Sequence, residues 1–90
     1  MLDERLLRNY HERRRQDLAN CKQSLSNRDF KPIEHVGHQL KGNGEMFGYP
    51  ELSQLGTQLE AAAKINDVEK ITVLLGQLES WVQKVATSFG

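Results

Sequence analysis

At 90 residues the chain can bury one modest core and has no room for a deep cofactor cleft, so its function belongs on its surface. With 12 Lys and Arg against 12 Asp and Glu, the formal net charge is zero, which excludes a general electrostatic affinity for nucleic acid or anionic membrane. The single cysteine, Cys21, excludes an internal disulfide and a cysteine-based zinc motif, and no apolar run approaches the length of a membrane span.

The first predicted helix runs from about Asp3 to Ser26, with Leu7, Tyr10, Leu18, Cys21 and Leu25 recurring at helical spacing. Its Arg-rich remainder reads as a solvated face, and the polar cluster Ser26, Asn27, Arg28 ends it. A second helix begins near Asp29 as N-cap, takes Pro32 into its first turn and extends to about Phe47, where Gly48 stops it. The third starts at Pro50, a residue suited to the first helical position, and ends near Lys64. Leu52, Leu55, Leu59 and Ala62 or Ala63 share one of its faces. Asn66, followed three positions later by Glu69, resembles a capping box for a fourth helix over about 67–88. Ile71, Leu74, Leu75, Leu78, Val82 and Val85 form its apolar stripe. Met46, Phe47, Trp81 and Phe89 are assigned to the core or its edge. No segment alternates with period two, and the connections suit only antiparallel neighbours. The expected fold is an all-α, antiparallel four-helix bundle in one domain spanning residues 1–90.

The second helix departs from a purely structural pattern. On a wheel of about 100° per residue, Ile33, Val36, Leu40 and Phe47 gather on one side, which faces the core. His38 lies nearly opposite and is expected to be exposed, with Glu34, His35, Lys41, Gly42 and Glu45 within about a turn. Gly37, Gly42 and Gly44 interrupt the same helix, each costing about 1 kcal/mol relative to alanine. Gly37 and Gly44 project toward the edges of the core stripe, where a neighbouring helix can approach. Gly42 points outward, so its missing side chain suggests that another molecule comes close beside the histidine. Lys41, three residues after His38, can reach an anion bound there. Together these residues describe a nucleophile, a positive charge for the group it receives, and clearance for a donor. His11 and His35 lack a following Lys and Gly.

The run HQLKGNGEMFG, with His38, Leu40, Lys41, Gly42, Phe47 and Gly48, resembles the signature of the histidine-containing phosphotransfer (HPt) domain. The similarity extends through GHQLKGNGEMFGYPELSQLGTQLEAA and the NRDF before it, and covers essentially the whole chain. The resemblance implies a phosphocarrier of a two-component multistep phosphorelay, without a kinase or nucleotide site of its own. His38 would accept a phosphoryl group at Nε2 from one receiver-domain aspartate and pass it to another. Lys41 would stabilise the phosphoryl charge, Gly42 would leave clearance for the receiver, and Glu60, at the position where the family often places Gln or Glu, could orient the ring through Nδ1. Response-regulator receivers, with a hybrid histidine kinase as a further candidate, are the implied partners; magnesium is expected in the receiver and no cofactor in this chain.

Two other readings compete. Glu34, His35 and His38 have one-turn spacing that could ligate zinc, with Glu60 as the only obvious ligand from another helix. An adaptor bundle could bind a partner helix or nucleic acid through the Arg-rich first helix, but that leaves Lys41 and Gly42 unexplained. A reduced cysteine and an opening, MLDERLLRNYHERRR, without a continuous apolar segment favour a cytoplasmic protein, the opening Met and the complete bundle favour a free-standing one, and a monomer with no nucleic-acid or membrane partner is expected.

Overall fold

The computed structural model describes residues 3–89. Among them are four helices and no strand: α1 (Glu4–Ser26), α2 (Lys31–Asn43), α3 (Pro50–Lys64) and α4 (Val68–Ser88). A short 3₁₀ turn, Glu45–Phe47, stands between α2 and α3. Contacts across the bundle fix the directions. The Tyr10 hydroxyl donates to Asn43 Oδ1, a His11 ring nitrogen meets the Val82 carbonyl, and Arg8 reaches the carbonyl of Phe89. Low numbers on α1 therefore pair with high numbers on α2 and α4, so neighbours run antiparallel. No described helix is long and apolar enough to cross a membrane.

The apolar stripes meet in one contiguous core. Ile33, Leu40, Leu59, Ile71 and Leu78 are completely buried, and each such side chain contributes about 1.5–3 kcal/mol relative to exposure. Cys21 lies among them, and burial pushes its thiol up to about 12, leaving it un-ionised and inert. At the end near the 3₁₀ turn, Tyr10 stacks on Phe47 with ring centroids 4.2 Å apart, and Trp81 meets Tyr49 edge-on at 5.0 Å.

The helix boundaries differ from the expected ones where a residue serves the end of one helix instead of the start of the next. Asp29 is not the N-cap of α2. Arg28 adopts a left-handed conformation (φ 54°) and the Asp29 amide donates to Ser24 O, so Asp29 closes α1, and Phe30 precedes the first helical residue. Asn66 likewise adopts φ 56° at the end of α3, a conformation that asparagine tolerates. Asp67 instead caps α4, accepting the Lys70 amide at 3.1 Å. At the other end of α2, the helix stops at Asn43 and not at Phe47. The Glu45 amide donates to Ser53 Oγ at 2.8 Å, which diverts it from the helical ladder, and Gly48 at φ 88° ends the tightened turn.

Two side chains are placed contrary to expectation. Met46 is 75% exposed, because the 3₁₀ turn that carries Phe47 inward rotates its neighbour to the surface. Arg14, on the face read as solvated, is buried: its guanidinium lies 4.5 Å over the Tyr10 ring and its Nε donates to Asp17 Oδ2 at 2.8 Å.

Candidate functional site

Helices α2 and α3 approach closely enough to join their outer faces into one surface. The reason is two glycines that meet across the interface. A Cβ on Gly37 would lie 2.5 Å from the Glu60 amide nitrogen, and one on Gly56 would lie 2.6 Å from the Gly37 carbonyl and collide with the Lys41 backbone. Gly44 makes a third such contact, against Ser53. The expectation that Gly37 and Gly44 admit a neighbouring helix therefore agrees with the packing. Gly56 was missed, although a glycine inside the apolar run of α3 carries the same unfavourable helix propensity and was an available signal.

This approach sets Glu60 beside His38. His38 Nδ1 stands 3.0 Å from Glu60 Oε2, and Lys41 Nζ lies 3.6 Å from Glu60 Oε1. The Glu60 side chain is only 14% exposed, whereas that of His38 is 69% exposed. Burial acts to raise the Glu60 acid, but the hydrogen bond from His38 and the charges of Lys41 and Lys64 outweigh it and hold the carboxyl below its ordinary value. An ionised carboxylate can only accept, so Nδ1 carries the ring hydrogen. In the neutral imidazole the lone pair is then on Nε2, the outer nitrogen.

Space around the ring is uneven. Nothing lies within 4 Å of where a Gly42 Cβ would stand, one turn from His38. Beyond Gly42 a groove opens between α1 and α2, bordered by Leu6, Tyr10, Arg13, His38, Gly42 and Met46. On the other side, Lys31, Glu34, His35, His38 and Glu60 border a smaller cavity. The structure thus brings His38, Lys41, Gly42 and Glu60 together. Glu34 turns to Lys31 at 3.8 Å, and among the described residues no three His, Cys, Asp or Glu side chains converge as metal ligands. Of the arginines on α1, Arg8, Arg14 and Arg15 hold Glu4, Asp17 and Glu12.

The arrangement provides an exposed nucleophilic nitrogen, a half-buried carboxylate that fixes the ring, an ammonium within reach of an incoming anion, and open space for what delivers it. A family model described as the Hpt domain matches residues 5–88. No curated protein and no solved structure matches the chain.

Proposed function

This chain belongs to the Hpt domain family, whose members serve histidine phosphotransfer in phosphorelays as phosphocarriers and not kinases, and on that footing we propose that His38 is the residue carrying the phosphoryl group. The observation that supports this most directly is the His38–Glu60 bond. It holds the exposed ring by Nδ1 and leaves Nε2 as the free nucleophile.

In the proposed reaction, the Nε2 lone pair attacks the phosphorus of a receiver's aspartyl phosphate. The bond from phosphorus to the aspartate oxygen breaks, the carboxylate departs with that electron pair, and phosphohistidine remains. Transfer to a second receiver aspartate reverses these bond changes. The Nδ1 hydrogen remains directed at Glu60 throughout, and the Glu60 carboxylate balances the positive charge that the ring acquires as the N–P bond forms. Lys41 turns from Glu60 toward the phosphoryl oxygens, and the open surface at Gly42 admits the receiver. Such transfer depends mainly on alignment and charge stabilisation, so a shallow surface suffices. The remaining catalytic groups, magnesium included, are assigned to the receiver.

The test is incubation of the chain with a phosphorylated receiver domain followed by measurement of acid-labile, base-stable label. Wild type is expected to take up label and His38→Gln none. Label retained by His38→Gln, or found on His35, would overturn the assignment.

A further inference from the structure

Arg13 differs from the arginines nearest to it on α1. Arg8, Arg14 and Arg15 each hold a carboxylate, at 2.8, 2.8 and 2.6 Å respectively, whereas Arg13 forms no ion pair among the described residues. It is exposed, and it borders the same groove as His38 and Gly42. Its height along the bundle follows from the contact between Tyr10 and Asn43. Three residues further along α1, and in the antiparallel sense three residues back along α2, Arg13 is level with Leu40. At about 1.5 Å per residue this puts it within about one helical turn, ~5 Å, of His38 along the axis.

A specific protein contact covers about 800 Å² on each partner, a patch roughly 30 Å across, which is wider than the groove that Arg13 and His38 both border. Any protein that brings a phosphoryl group to His38 over Gly42 therefore covers Arg13 as well. A guanidinium covered in this way loses hydration, and because Asp17, one turn further along α1, is already held by Arg14, the compensation comes from the partner. The rest of the groove offers apolar contact, because Leu6 is 47% exposed and Met46 75%. Arginine suits the task, since its planar fork pairs with carboxylates in two parallel hydrogen bonds.

We propose that Arg13 is a specificity-determining residue, which selects receiver domains that present an Asp or Glu side chain to the α1–α2 groove beside His38. The inference rests on the phosphotransfer reading and adds to it what distinguishes an accepted receiver from a rejected one. A receiver with a basic or apolar residue at that place leaves the guanidinium covered and unpaired, and is disfavoured.

The experiment charges the chain with phosphoramidate, a small phosphodonor that needs no groove, and follows transfer to a panel of receiver domains at several salt concentrations. For receivers that wild type serves, Arg13→Gln is expected to lower kcat/KM about tenfold, through KM, and to flatten the salt dependence. Arg13→Glu is expected to lower it about 100-fold, and a Glu→Lys or Asp→Lys change at the matching receiver position should restore transfer to that variant. Lys70→Gln, which removes an exposed charge in the first turn of α4, outside the groove, should leave transfer unchanged. Without receiver, the phosphorylated Arg13 variants should decay at the wild-type rate. Wild-type kcat/KM and salt dependence in Arg13→Gln would overturn the proposal, as would altered decay without receiver, which would assign the guanidinium to the phosphoryl group itself. Label taken up from phosphoramidate by His38→Gln as by wild type would instead overturn the role of His38.

Discussion

Replacing Gly42 with alanine separates the demands of folding from those of transfer. In the interior of a helix, Gly to Ala stabilises by about 1 kcal/mol, because glycine loses more backbone freedom on folding. The gain is realised only where the new methyl group meets nothing, and the space around Gly42 is open to at least 4 Å. Its place in the last turn of α2, ahead of Asn43, reduces the gain, so about 0.5–1 kcal/mol is expected. For a domain of this size that corresponds to a rise in Tm of about 2–8 °C. A methyl group on the docking surface is also expected to slow transfer from a phosphorylated receiver, and Gly42→Gln to slow it much further while remaining folded. Thermal unfolding by circular dichroism gives the first quantity and a phosphotransfer time course the second. A fall in Tm for Gly42→Ala would show that the glycine serves the fold after all. A rise in Tm with wild-type transfer in both variants would refute the clearance argument.

Gly56→Ala should behave in the opposite way. Its Cβ would press on the α2 backbone, so α2 and α3 must separate, and a net loss of about 1–3 kcal/mol is expected in urea unfolding despite the better helix propensity; equal or greater stability would contradict the close-packing account. Glu60→Gln tests the carboxylate through pH. An acid held below its ordinary 4.5 stabilises the fold fully above the unfolded-state value, and this contribution is lost as pH falls through the folded one. The urea midpoint of wild type should exceed that of Glu60→Gln at pH 7 and converge on it as pH falls below 4.5, whereas a gap that does not narrow on acidification would show that the ionised carboxylate is not the source.

Most of the bundle was legible from residue spacing. Leu52, Leu55, Leu59, Ile71, Leu74, Leu78 and Val82 all occupy the core that their period of 3.6 assigns them, because a stripe of large apolar side chains has no other favourable place. Boundaries were less legible. Asn66 and Asp67 are both acceptable caps in a linear sequence, and the choice depends on whether Asn66 is needed in the left-handed conformation that ends α3. Arg14 and Met46 exchanged their expected environments for a related reason. An arginine is buried only when an aromatic face and an acid are supplied for it, and a methionine surfaces when a 3₁₀ turn rotates it outward.

At the site, sequence alone determined what one helix can determine: that His38 points away from the core, that Lys41 shares its side, and that Gly42 leaves space there. Positions three and four apart on a helix are neighbours whatever the rest of the chain does. Only the tertiary structure decided which ring nitrogen is held and which is free, because that depends on the 3.0 Å contact between His38 and Glu60 across two helices. The same holds for Gly56, whose missing side chain permits the approach, and for Arg13, which borders one groove with His38 only through the antiparallel packing of α1 on α2. Helical periodicity fixes the direction of a side chain from its own helix axis, while the distance and rotation between two axes follow from how their surfaces fit.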